Sequence, residues 1–447
     1  MMETYELLTE LLHGKKWQEL KDILSEMNEQ DIAELFMELD ERDLTLIYRL
    51  LPKELAAEVF VNMEPEYQEM LIRAFSDTEL REVLDELYVD DAVDLIEEMP
   101  ATLVKRILRH TDPDTRKSIN EILRYPEDSA GSLMTIEYVD LKRSMTVADA
   151  FTRIRRTGVD KETIYTCYVT DSKRKLKGYV TVKDLLLADE NSTIRDIMED
   201  NVISVTTHED KEVVADIFQK YDLVVLPVVD GEGRLVGIIT VDDAIDVLQE
   251  EMTEDIEKMA AITPTDKPYL KMSVIENFKK RIPWLMLLMV SATFTEKIIT
   301  HFEGTLTACV VLTAFIPMLT GTCGNCGAQS SATIIRGLSL GDIEFRDTFK
   351  VIFKEFRIAF VCGLALAIVN FAKLMLFDDV GAKVALVVSF TMIMAVIFAK
   401  VVGSVLPVIA KKLGFDPAVM SSPFISTIVD AVTLLIYFTV ASAVLNL

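Results

Sequence analysis

Asp430 stands in an apolar stretch that reads Ser421-Ser-Pro-Phe-Ile-Ser-Thr-Ile-Val-Asp430-Ala-Val-Thr-Leu-Leu-Ile-Tyr437. A carboxylate inside a bilayer-crossing helix costs about 2.5–3.5 kcal/mol on insertion scales, so its presence points to a function. An isolated negative charge in that setting suits a passing cation. The rival reading is an ion pair with Lys400 or Lys297, each of which lies in another apolar stretch. A second polar group interrupts an apolar run as Thr320-Gly-Thr-Cys-Gly-Asn325-Cys-Gly-Ala-Gln-Ser-Ser331, preceded by Pro317. Its hydroxyls and amides would be exposed to lipid at a cost, unless they face protein or a wet cavity. Pro317 is expected to kink this helix, and Gly321, Gly324 and Gly327 let backbones approach. A seam of small residues between helices is the competing reading.

Carboxylates also gather outside the apolar part. Asp243, Asp246, Glu250, Glu254 and Glu257 recur at three- and four-residue intervals, with Glu251 and Asp255 beside them. On a helix that spacing makes one acidic stripe, and each like-charge pair costs about 0.2–0.5 kcal/mol. Lys258 is the cation at hand; divalent ions with oxygen ligands are the natural cover. Asp90, Asp91 and Asp94 form a second group, followed by Glu97 and Glu98. Helix capping accounts for one or two of these acids.

These groups must be held by several folding units, because the chain has 447 residues. Half of them are hydrophobic and the net charge is −26. The stretch ending at Leu270 carries 31 Lys and Arg against 61 Asp and Glu, and the remainder 15 against 11. Such an acidic excess argues against nucleic acid as a partner. Met1–Leu12 is acidic and amphipathic rather than a signal peptide, so the whole acidic part up to Leu270 is expected in the cytoplasm.

Met27, Leu39, Leu51, Met63, Phe75, Leu87 and Met99 stand twelve residues apart, each followed by turn or helix-start residues. Short helices of about two turns cannot bury a face alone and should stack as an α-solenoid over 1–128. Next, Tyr168–Leu185 recurs without a gap as Pro227–Ala244, with Asp171/Asp230, Gly178/Gly237, Thr181/Thr240 and Asp184/Asp243 aligned. Each copy reads as strand, tight turn, strand, helix.

The long apolar stretches lie near Pro283–His301, Leu306–Ile335, Ile358–Phe377, Val380–Ala410 and Pro423–Leu447, each long enough to cross a bilayer. Basic residues alternate between the connecting loops: 279–281, then Arg336 to Arg357, then Lys411 and Lys412. The loops with Glu303 and with Asp378-Asp379 are acid-leaning. This predicts five spans in a cell membrane, the N-terminus inside and the C-terminus outside. Enzyme chemistry is not expected: the four His residues lack ligand spacing, and no nucleophile–base pair or phosphate loop is seen.

The paired strand–Gly–strand–Thr-x-x-Asp copies resemble CBS modules, which implies an adenine nucleotide such as ATP near Thr181, Asp184, Thr240 and Asp243. Helix capping by the threonines is the alternative. Taken with Thr240-Val-Asp-Asp, Thr253-Glu-Asp-Ile, the Gly321–Ser330 run and Asp430, nearly the whole chain resembles the MgtE family of magnesium channels. The resemblance implies a helical N-domain (1–128), CBS modules at 129–190 and 191–248, a connecting helix (249–282) and a five-helix transmembrane domain (283–447). It further implies a homodimer with one pore at its interface, Mg²⁺ as both cargo and regulator, and closure by cytoplasmic Mg²⁺. Asp430, Ser426 and Asn325 are then pore residues. Asp91, Asp94, Asp243, Asp246, Glu251, Glu254 and Asp255 become regulatory ligands. Transport of Co²⁺, Mn²⁺ or another cation under nucleotide control is the alternative. Cys326, Ala328 and Lys400 depart from the family's pattern.

Overall fold

The computed structural model describes residues 2–446 other than Asp266, Pro268, Asp379 and Ser421. Asp379 of the acid-leaning loop and Ser421 at the head of the fifth apolar stretch therefore lie outside the described residues. The chain divides into two compact units, Met1–Leu248 and Gln249–Leu447.

The first unit opens with a run of short helices, from Met2–His13 to Pro113–Ile122. Their starts are set locally by side chains that accept from first-turn amides, as Asn28 does from Gln30 and Asp40 from Arg42 and Asp43. Ser76 and Glu79 form a capping box. The twelve-residue repeat marks the helix ends. Met27, Phe75 and Met99 follow their helices in extended backbone, and Met63, Phe75 and Met99 are buried. Helices this short are marginal in water. They persist by packing on the next but one, as Glu29–Met37 on Lys53–Val61 and Lys53–Val61 on Asp77–Leu84.

Two three-stranded sheets follow. β1 (Asp140–Lys142) lies parallel to β2 (Thr166–Thr170), which pairs antiparallel with β3 (Leu176–Thr181). β4 (Val205–Thr206), β5 (Val225–Val229) and β6 (Leu235–Thr240) repeat that order. The register repeats too: Cys167 faces Val180 as Leu226 faces Ile239. The aligned aspartates shape the turns, Asp171 accepting from the Lys173 and Lys175 amides and Asp230 from those of Glu232 and Arg234. The copies join where the Leu176 amide donates to the Gly233 carbonyl and the Leu235 amide to that of Arg174. One continuous apolar core runs from the helical array to Leu226, Ile239 and Ala244 of the second copy. That shared core fixes helix Val89–Glu98 relative to the start of helix Val241–Met259.

Among the described residues of the second unit five helices are long and apolar enough to cross a membrane. We refer to Val274–His301, Ile316–Ser339, Thr348–Leu376, Ala382–Lys412 and Ser422–Leu445 as the first to fifth spans. Two expectations change here. Pro317 does not kink the second span; it sits in the first turn, where its missing amide hydrogen is harmless. The irregular stretch lies just before it, as a 3₁₀ segment over Val310–Phe315. Nor is 249–282 one connecting helix. Helix Val241–Met259 continues from the second CBS copy, and the next helix starts at Val274, capped by Ser273 and Glu276.

A Cβ added at Gly237 would stand 2.7 Å from both the Thr135 carbonyl oxygen and Met134 Sδ. The carbonyl is held in place, since Thr135 and Ile238 exchange backbone hydrogen bonds. Gly237→Ala should therefore destabilise the first unit by about 1–3 kcal/mol, measured as a lower midpoint of denaturant unfolding in the purified protein.

Candidate functional site

In the membrane unit the second span does two things at once. Cys323, Gly324, Cys326, Gly327, Ser330 and Ser331 are buried, whereas Gly321, Asn325 and Gln329, four residues apart, are all exposed. The buried side is a close-packed seam. A Cβ on Gly403 of the fourth span would come within 2.3 Å of the Gly327 carbonyl oxygen, and one on Gly327 within 2.9 Å of Ile425 Cγ2 of the fifth. One turn away, a Cβ on Gly324 would lie 3.3 Å from Ser426 Oγ and 3.9 Å from Asp430 Oδ1. Glycine thus brings the second span's backbone against Ser426 and Asp430, which share a face of the fifth span. Asn325 is not part of that contact; it lies on the exposed side.

Asp430 is half-buried and makes no ion pair among the described residues. Lys400 is engaged elsewhere: buried, it donates to Ser330 Oγ at 3.2 Å, and Ser330 donates to Glu355 Oε2 at 2.6 Å. This hydroxyl-bridged chain answers the positive charge in the fourth span and overturns the reading in which Lys400 neutralises Asp430. Cys323 and Cys326 are buried free thiols.

The first unit holds a second group of acids. Helix Val89–Glu98 places Asp90, Asp91 and Asp94 beside Asp243, with Glu162 close by. Burial first, then the charge of Asp243, pushes Asp91 up to about 6 and Asp94, at the exposed edge, up to about 7. Burial and the charge of Asp91 raise Glu162 to about 7. Asp243 rises to about 6, again chiefly by burial, although Thr240 Oγ1 donates to it at 2.8 Å. Asp90 is raised well above the carboxylate range, and its Oδ1 is buried without a hydrogen-bond partner. The side-chain charges acting most strongly on Asp90, Asp91, Asp94 and Glu162 are all negative. Among the described residues no three His, Cys, Asp or Glu side chains are grouped as a metal site. Carboxylates gathered this closely repel one another, which favours their protonated forms.

The far end of helix Val241–Met259 differs. Lys258 pairs with Glu254 and lies 2.7 Å from Asp416, between the fourth and fifth spans. Burial, then Asp416, raises Asp255. Glu257 accepts from the Thr265 amide at 2.9 Å. Sequence reasoning missed Asp416 and Glu162. Asp416 precedes Pro417 and accepts from the Ala418 amide, so it reads locally as a helix cap; Glu162 lies in a loop with no periodic signal.

Thr181 and Asp184 form a capping box, and Thr240 likewise donates to Asp243. Both pairs start helices, as the capping alternative requires.

A helical array, twin CBS modules and, among the described residues, five apolar helices with Asp430 set among them define a multi-pass membrane transport protein. Comparison with known proteins agrees. The MgtE profile described as a divalent cation transporter matches residues 316–440, that of the MgtE intracellular N domain 27–128, and the CBS domain 130–191 and 194–250. The magnesium transporter MgtE of Thermus thermophilus is 39% identical over 443 residues, 98% of each chain. That of Bacillus subtilis is 33% identical over 444 residues, 98% of this chain and 96% of its own. The solved cytosolic domain of the Mg²⁺ channel MgtE in complex with ATP superposes with a TM-score of 0.52 at 41% identity, covering 54% of this chain and 98% of that one. The soluble part of a magnesium transporter gives 0.53 at 30%, covering 56% and 99%. The chain belongs to the MgtE family, a family of transporters rather than enzymes.

The raised carboxylates make the first unit pH-sensitive. A folded state that holds protons more tightly than the unfolded chain loses stability as pH rises, here between about pH 4 and pH 7. In chelating buffer its unfolding free energy should fall as pH rises across that window. Asp91→Asn combined with Asp94→Asn should flatten the profile; an unchanged slope in denaturant titrations at several pH values would refute the assignment.

Proposed function

We propose that the protein is a Mg²⁺-selective channel in a cell membrane, with one pore between two copies. The observation that carries this is Asp430, without an ion-pair partner among the described residues, set against Gly324 and Ser426 inside apolar helices. The outward face of Gly321, Asn325 and Gln329 supports the dimer, because amides turned to lipid are costly and a second copy or a wet passage would cover them. Mg²⁺ sheds water reluctantly, so Asp430, the Ser426 carbonyl and Asn325 act on the hydrated ion. The relatives' names as magnesium transporters favour Mg²⁺ over Co²⁺ or Mn²⁺. The N-terminal unit would lie in the cytoplasm and the C-terminus outside, the orientation that the loop charges favour.

Closure by cytoplasmic Mg²⁺ follows from charge. Bound ions would relieve the repulsion among Asp91, Asp94 and Asp243, with Asp246, Glu251 and Asp255 further along the same helix; Glu254 is already answered by Lys258 and would have to leave it to serve as a ligand. The CBS pair would take an adenine nucleotide, as the ATP-bound relative does. Charge favours the Thr181/Asp184 copy, where Lys183 stands; the equivalent position beside Thr240/Asp243 is Asp242, at the edge of the acidic group. When bound, the nucleotide would add phosphate charge to the regulatory half.

In proteoliposomes Asp430→Asn should reduce Mg²⁺ uptake at least about 100-fold, given the worth of a carboxylate facing a divalent ion at low dielectric; parental uptake by the variant would refute the pore assignment. Asp243→Asn, Asp246→Asn and Asp255→Asn together should keep conduction but raise the Mg²⁺ needed for closure. Equal inhibition of variant and parent would remove the sensor assignment.

A further inference from the structure

The first span carries a carboxylate of its own. Ala292, Thr295, Glu296, Ile299 and Thr300 fall on one helical face, and that face walls an open cavity of about 380 Å³. The opposite wall is Thr427 and Asp430 of the fifth span. The two helices run side by side in the same direction. Beyond the cavity the Phe302 ring lies 5.2 Å from that of Phe438, and Thr305 Oγ1 lies 3.1 Å from Ser442 Oγ. Phe302 follows Glu296 by six positions and Phe438 follows Asp430 by eight. At 1.5 Å per residue the two carboxylates differ in depth by only about 3 Å.

We propose that Glu296 is a second cation-facing carboxylate of the passage, acting on the hydrated ion together with Asp430; this rests on Asp430 being the pore acid. The chemistry of the wall fits such an ion. The Thr300 hydroxyl donates to the Glu296 carbonyl and the Thr427 hydroxyl to that of Pro423, each at 3.0 Å. Their protons are thus committed to the helix, and their lone pairs remain as acceptors. Metal-bound waters are donors, so they meet acceptors on both walls. Six waters of about 30 Å³ each occupy roughly half of the cavity. A carboxylate turned to lipid at this position would gain nothing for its cost.

The test uses the full-length protein in proteoliposomes, with Mg²⁺ as the probe. Glu296→Gln should raise the half-saturating Mg²⁺ concentration about threefold to tenfold while leaving the saturating rate near parental, and Glu296→Asp should restore it, as Coulomb's law across water in a wet cavity predicts. Parental half-saturation in Glu296→Gln alongside a silent Asp430→Asn would overturn this proposal and leave the pore intact. Full conduction by Asp430→Asn would instead overturn the pore reading beneath it. Independently of flux, Glu296→Cys should react with a trimethylammonium thiosulfonate reagent faster than the parent's own thiols do, and Mg²⁺ should slow that reaction. A cysteine at 296 that the reagent leaves untouched would place the position in lipid and sink the proposal.

Discussion

A carboxylate withdrawn from bulk water is tolerable only where something positive answers it. This chain treats its withdrawn charges in two ways. Where it supplies the answer itself, the groups are knitted together: Lys400 reaches Glu355 through the Ser330 hydroxyl, and Lys258 sits between Glu254 and Asp416. At Asp430, and at Asp90, Asp91, Asp94 and Asp243, the described residues provide no ion pair, and the strongest side-chain charges on the cytosolic group are mutual repulsions. That contrast separates structural charge from charge left for an ion. Removing one partner of a buried pair strands the other, so the first kind resists change. The second kind has no such partner among the described residues to strand.

Glycine makes the membrane version possible. Gly327 and Gly403 bring the second and fourth spans so close that side chains are excluded, and Gly324 sets the second span against Ser426 and Asp430. In lipid, helices associate through such packing rather than through hydrophobic burial. The small-residue seam and the polar face therefore do not compete. They are opposite sides of one helix, and the seam turns Asn325 and Gln329 outward. Gly178 and Gly237 act similarly in the CBS pair, where neighbouring backbone crosses β3 and β6 at sub-van der Waals range for any added Cβ.

Much of this was legible in the residues. The twelve-residue beat marked helix ends because an apolar residue packed into the core closes each short helix, and the tandem repeat transferred intact into strand register. Asp430 was visible because a carboxylate in an apolar run has few local explanations. What escaped was non-local. Nothing in the order of residues shows that Lys400 faces Ser330 rather than Asp430, since both options put a lysine and a polar group in neighbouring spans. Pro317 was misplaced by one turn: the sequence has a proline near glycines, but whether proline kinks a helix or opens it depends on where the helix begins. Asp416 and Glu162 were hidden because a capping carboxylate and a loop carboxylate look ordinary until distant elements bring other charges beside them.

Helix Val241–Met259 gives the proposed regulation a physical carrier. Its 19 residues span about 27 Å at 1.5 Å per residue. Its first turn carries Asp243 among the cytosolic acids, and its last turn carries Lys258, ion-paired to Asp416 at the loop between the fourth and fifth spans. A change in the balance of charge at the first turn bears on the same continuous backbone that the last turn anchors. On the proposed reading, an ion bound at the first turn would be coupled to the passage by the differential stability of this helix's two attachments, and no wire of side chains through the protein would be required. The sign follows from the same charges. Cations bound there would relieve repulsion at the first turn and favour the attached state, which on the proposed function would make a rising ion concentration a closing signal rather than an opening one.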